Sequence, residues 1–186
     1  EAVIPSGGTL SARCSRKSSY DQLAAEDAWG RDVRSAGETE EDHYRCEASC
    51  RAGKSITFST VMEYARVFGA GGDVLHGVLL GGDISFTPLP RYSFDTRFSL
   101  FHTDGYGARL YDYESGLPGQ LSLPPLYGHG LRWYIRLRCR PVLWADIAIR
   151  YAATVKEASV SGTEPFRETP AACAAQIGLQ ADIRLP

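Results

Sequence analysis

From Leu131 to Val155 the chain alternates apolar and polar residues with almost no interruption. Leu131, Trp133, Ile135, Leu137 and Cys139 fall on one side, and Arg132, Tyr134, Arg136, Arg138 and Arg140 on the other. Successive side chains of a strand point to opposite faces, so this stretch forms a strand with one apolar wall and one cationic wall. After an Arg140-Pro141-Val142 corner the pattern resumes, with Leu143, Ala145, Ile147, Ile149, Tyr151, Ala153 and Val155 against Trp144, Asp146, Ala148, Arg150, Ala152 and Thr154. The result is a long two-strand ribbon. In a soluble sandwich its apolar side points inward and its charged side meets water, whereas in an outer-membrane barrel the apolar side meets lipid and the charged side lines the lumen.

The rhythm of turns separates these two arrangements. Residues 1–41 form a poorly defined N-terminal region, with a strand at Thr9 to Arg16 and a polar loop over Tyr20 to Glu41 that holds one helical turn at Gln22 to Ala28. Barrel-type strands occupy 42–186. They run through 42–50, 55–64, 78–86, 91–100, 109–114, 120–126, 131–140, 143–155 and 176–185, with period two in most and the weakest alternation at 109–114. Corners near residues 52, 89, 117 and 142 are short, and the connections between them are longer or looser. Short turns alternating with long loops are the habit of outer-membrane barrels, and Greek-key sandwiches have no reason for such parity. With Thr9 to Arg16 the count is ten, an even number. The expected fold is an all-β, antiparallel up-and-down barrel of about ten strands, of transmembrane type.

The facing pattern supports the same expectation. On the apolar side of 54–64, 91–100, 131–155 and 176–185 no Asp, Glu, Lys or Arg falls between the turns. One such charge at mid-bilayer would cost about 2 to 4 kcal/mol. The other side carries Arg97, Arg132, Arg136, Arg138 and Arg150 with Glu63, Asp95, Asp146 and Asp182, the candidate lumen residues and solute contacts. Arg45, Arg91, Arg184, Glu47 and Asp83 share that side. A barrel of about ten strands is only just wide enough for side chains to fill, so cross-strand ion pairs would plug it. The alternative is a selective route for anions, small solutes or other ions. Tyr44, Tyr64, Tyr92, Trp133 and Tyr151 would form interfacial belts.

Composition excludes several other classes. At 186 residues, 44% hydrophobic and 23% charged, the chain is too apolar for disorder, and no apolar run is long enough for a transmembrane helix. A net charge of -2 gives no electrostatic footprint for nucleic acid. The start at Glu1, without Met or a signal-like segment, fits a processed chain or part of a longer one. Five cysteines at irregular spacings do not form a disulfide framework, and Cys46-x3-Cys50 without a second ligand pair is a poor zinc match. Neither a metal nor a cofactor is expected.

Four phrases carry a family resemblance: RFSLFHTDGY from Arg97 to Tyr106, ARLYDYE from Ala108 to Glu114, SLP from Ser122 to Pro124, and YGHGLRWY from Tyr127 to Tyr134. Over about Asp42 to Leu185 the chain resembles the C-terminal outer-membrane β-barrel region of competence-type helix-hairpin-helix proteins of Gram-negative bacteria. That resemblance implies an outer-membrane location, the lipid bilayer as partner and no catalytic residues. The DNA-binding helix-hairpin-helix sequence is absent here, and Pro186 stands where barrels usually end on an aromatic residue.

Two chemical alternatives compete with a non-catalytic barrel. Ala52-Gly53-Lys54-Ser55 imitates the end of a phosphate-binding loop, but Ala48 occupies the required glycine position and two strands flank it. His102, Asp104 and His129, with Ser99 or Tyr106, would form a hydrolase site at one rim, although no nucleophile motif accompanies them. A soluble β-barrel or sandwich binding module is the remaining alternative.

Overall fold

The computed structural model describes residues 2–4, 8–26, 32–69, 72–157 and 172–183. Among these, six strands come first: β1 (Ala2–Ile4), β2 (Gly8–Glu26), β3 (Asp32–Ala52), β4 (Ile56–Phe68), β5 (Val74–Leu89) and β6 (Tyr92–Thr103). A 3-10 turn at Tyr106–Ala108 and four two-residue strands follow: β7 (Leu110–Tyr111), β8 (Glu114–Ser115), β9 (Leu121–Ser122) and β10 (Pro125–Leu126). Three long strands close the series: β11 (His129–Val142), β12 (Ala145–Lys156) and β13 (Ala172–Ile183).

Short β1 and the eight long strands form one antiparallel sheet in the order β1-β2-β3-β4-β5-β6-β11-β12-β13. β1 and β13 are its edges, and the sheet is not closed into a barrel. Three tight turns, at Gly53–Ser55, Pro90–Arg91 and Leu143–Trp144, lie at one end. Gly53 takes φ +68, a left-handed conformation that glycine adopts without strain. The connections at the other end, over 27–31, 69–73, 104–128 and 157–171, are longer.

Two expected elements are corrected. The segments 109–114 and 120–126 are not long strands of the sheet, and the tight corner near 117 is not one of its turns. They contribute β7 paired with β10 and β8 paired with β9, inside a single connection between β6 and β11. The expected ten strands thus become eight long ones and β1, and short turns still alternate with long connections. The loop expected over Tyr20 to Glu41 is also largely strand: β2 and β3 stay paired from Thr9↔Ser49 to Glu26↔Asp32. β3 reaches β4 only from Glu40 onward, so the outer part of this hairpin is a two-stranded ribbon. Of the expected helical turn, Gln22 to Glu26 is strand, and residues 27 and 28 lie outside the described residues, as does Arg184.

The register aligns the two faces across the whole sheet. One row of register partners runs Ala12, Cys46, Met62, Leu80, Leu100, Leu131, Val155, Cys173, all on the apolar face. A row on the other face runs Arg51, Thr57, Ser85, Asp95, Arg136, Arg150, Gly178. The apolar face is the exposed one: Leu80 is 51%, Leu100 56% and Ile177 76% accessible. The charged face is covered, with Ser99 at 1% and Arg150 at 7%.

What covers it is the connection 104–128, which folds back over the sheet. Its roots are apolar: Leu110 and Leu126 cluster with Val61, Ala65, Leu79 and Phe101 on the charged face of β4 to β6. Full burial of each leucine contributes about 1.5 to 3 kcal/mol. Two glycines make room where the segment lies closest. A Cβ on Gly77 would stand 2.5 Å from Ala108 O, and one on Gly178 would stand 2.9 Å from Leu117 Cδ1. The segment therefore touches strands as far apart as β5 and β13.

Candidate functional site

The candidate site is the ionic interior between the sheet and this segment. All nine residues singled out in the sequence share the charged face, Asp182 at its exposed margin: Arg97, Arg132, Arg136, Arg138, Arg150, Glu63, Asp95, Asp146 and Asp182. Their partners come from two sources, neighbouring strands and the inward segment.

Within the sheet, Arg136 Nη2 donates to Asp95 Oδ2 at 2.7 Å, and Arg138 Nε donates to Asp146 Oδ1 at 2.8 Å. Arg140 adds a bond to Asp146 at 2.9 Å. Arg97 grips Asp83 with Nε and Nη2 at 2.5 and 2.6 Å, a bidentate pair. Glu63 bonds Arg45 at 2.7 Å and His43 at 3.1 Å, rather than any of the arginines expected to pair with it. Asp182 faces Asp146 across the strands and accepts from Gln180 Nε2 at 2.9 Å.

The sequence reading missed the two carboxylates that complete the set. Asp112 and Glu114 lie in the inward segment and are 0% and 1% accessible. Glu114 accepts from Arg132 Nε and Nη2 and from Arg150 Nη2, so one carboxylate serves two guanidinium groups. Asp112 accepts from Arg97 Nη1 and from the Ser99 hydroxyl. Burial pushes the Asp112 carboxyl above its ordinary range against the pull of Arg97 and Ser99, and neighbouring Glu114 adds to the rise. The segment also binds through backbone: Arg136 donates to Gly116 O at 3.0 Å, Arg150 to Ser115 O at 3.2 Å, and Gln180 to Pro118 O at 3.1 Å.

This arrangement explains a like-charge contact. Arg136 and Arg150 stand directly opposite in the β11–β12 ladder, which alone would be destabilising. Asp95 neutralises the first and Glu114 the second. Among the described residues no buried side-chain nitrogen or oxygen lacks a hydrogen-bond partner. Beside the segment remains a hollow of about 540 Å³ lined by hydroxyls, including Thr9, Ser11, Ser59 and Ser85, with Arg45 and Tyr134. Since residues of β2 and β11 line one hollow, the sheet curls strongly around the segment.

The rim residues of the hydrolase alternative are divided between the two faces of the sheet. Ser99 is on the covered face and donates to Asp112, whereas His102 is on the apolar face. Asp104 Oδ2 accepts the His76 amide at 2.8 Å, and Tyr106 packs edge-on against Tyr127. His102 and His129 are adjacent at the end of the long connections. Among the described residues no group of three or more His, Cys, Asp or Glu side chains converges to hold a metal.

The apolar face carries its own pattern. Trp133 stacks on Phe98 and lies tilted against Tyr151, and Tyr44 stacks on Tyr64, whose hydroxyl bonds His76 at 2.8 Å. Just past Tyr44 and Tyr64 the face turns ionic, where Arg16 pairs with Asp42 opposite Arg66. The threonines on this face bend back onto backbone: Thr60 donates to Gly81 O at 3.0 Å and Thr96 to Tyr134 O at 2.8 Å. The five cysteines are unpaired and share this face. Comparison with family models, curated proteins and solved structures returned no match.

Proposed function

We propose that this chain is a bacterial outer-membrane β-barrel, closed by pairing of β2 with β13 and plugged by its own segment 104–128. It acts as a non-catalytic structural or transport-associated membrane component. The observation that carries this reading is the inversion of burial: the apolar face is open and the ionic face is enclosed. In water such a molecule would expose a continuous apolar surface far larger than soluble monomers tolerate. In lipid the same surface is solvated.

Three further features support it. β2 and β13 run in opposite directions, so their pairing would be antiparallel, and eight long strands are an even number. The outward residues from Tyr92 to Leu100 span about 27 Å at roughly 3.3 Å per residue, within the range of a tilted barrel strand. Thr60 and Thr96 satisfy their hydroxyls internally, as a lipid-facing position requires. The reading also agrees with the resemblance of 97–134 to the barrel region of competence-type proteins.

The experiment is refolding into detergent micelles or lipid vesicles, followed by electrophoresis with and without boiling. A closed barrel keeps a compact, faster or slower migrating form until boiled. A chain that stays soluble and monomeric without detergent and shows no heat-dependent mobility would overturn the proposal.

A further inference from the structure

His102 is the last apolar-face residue of β6 before the inward segment, and His129 is the first residue of β11 after it. The register sets them directly opposite. Thr103 N–H donates to Gly128 O at 2.8 Å, so the next pair, His102 and His129, occupies a non-hydrogen-bonded site. Cα atoms at such sites are about 4.5 Å apart and their side chains stand closest. The backbone thus dictates the contact. The two Nδ1 atoms are 3.2 Å apart with the rings crossed at 80°.

The far nitrogens face carboxylates. His102 Nε2 is 3.9 Å from Asp104 Oδ1, and His129 Nε2 is 3.9 Å from Glu157 Oε2. At 3.9 Å these carboxylates are beyond hydrogen-bond range and act as nearby negative charges, which favour a cation held by the two rings. At 3.2 Å one Nδ1–H donates to the other ring when their tautomers differ, and with both protons on Nε2 the two lone pairs are left for a shared cation. Two imidazoles bound to one tetrahedral metal at about 2.05 Å place their nitrogens roughly 3.3 Å apart.

We infer that His102 and His129 form a bidentate site for a divalent transition metal of the zinc, nickel or copper class. Imidazole suits these ions, and water fills the remaining positions. The two ligands flank segment 104–128, so a bound ion staples the neck of the inward-folded connection. The site depends on the β6–β11 register and not on which solvent meets the apolar face.

The test is a calorimetric titration of the full chain in detergent micelles with Ni²⁺, after alkylation of the five free cysteines removes them as competing ligands. One Ni²⁺ binds per chain, and His102→Ala or His129→Ala weakens it at least tenfold. His76→Ala, on the same rim but out of register with the pair, changes the affinity less than twofold. His129→Gln, which keeps polarity at this exposed position, repeats the loss and guards against misfolding of the alanine variant. Saturable binding that survives both alanine substitutions, or no saturable binding at all, overturns the site.

Discussion

Arg150 Nη2 is bonded to Glu114 Oε2, and both side chains are almost wholly withdrawn from solvent although they lie 36 residues apart. One belongs to the middle of β12 and the other to the connection between β6 and β11. This pair, with Arg132 on the same carboxylate, anchors the connection inside the curl of the sheet.

Removing that carboxylate leaves two buried guanidinium groups without their main partner. Glu114→Gln is therefore expected to cost about 3 to 5 kcal/mol in docking of the segment, the usual penalty for breaking a buried ion pair. Hydrogen exchange over residues 104–128 reads the loss directly. Asp112→Asn costs about 1 kcal/mol or less, because Arg97 keeps both oxygens of Asp83 and the amide retains an acceptor. Equal effects of the two substitutions would contradict this division of labour.

Asp112 also sets a sign for pH dependence. Its carboxyl is raised in the folded state, so the native form binds the proton more tightly than the unfolded chain. Its stabilising contribution is full below the ordinary carboxylate pKa and is lost as pH rises through the raised value. Limited proteolysis of the segment should show a contribution that increases on mild acidification and is absent in Asp112→Asn, which cannot ionise.

Gly77 and Gly178 are sheet positions that the segment approaches closely. Gly77→Val places its Cβ against the Ala108 carbonyl and should cost about 1 to 3 kcal/mol, the range for overpacking. Gly82, with open space beyond it on the apolar face, should accept alanine with little change. Thermal unfolding in detergent separates the two.

The proposed plug also predicts conductance. The full chain should be silent in planar bilayers. Replacing residues 109–125 by a short glycine-serine linker removes Asp112 and Glu114 and leaves Arg97, Arg132 and Arg150 partly unpaired, so the resulting pore should prefer anions. A conducting full chain, or a silent variant that is folded, contradicts the assignment of 104–128 as the plug.

The apolar and ionic faces were legible because period-two alternation from Ile56 to Tyr64, Tyr92 to Leu100 and Leu131 to Val155 leaves no choice of facing. The path of 104–128 was not. Arg109 to Glu114 alternates like a short strand, and nothing local distinguishes a strand in the sheet from one folded across it. The signals lay elsewhere, in glycines at the charged-face positions 77 and 178 and in the arginines at 132, 136, 138 and 150. The β2–β3 hairpin beyond Tyr20 escaped notice because polar residues predominate there, which erases the alternation that marks a half-buried strand.

The central claim is that the apolar face meets acyl chains, and Trp133 reports on it. With Trp29 and Trp144 replaced by phenylalanine, the fluorescence of Trp133 is measured in vesicles of bromine-labelled phosphatidylcholine and against aqueous iodide. The account predicts strong quenching by the brominated lipid and almost none by iodide. Quenching by iodide with no response to the lipid would contradict it.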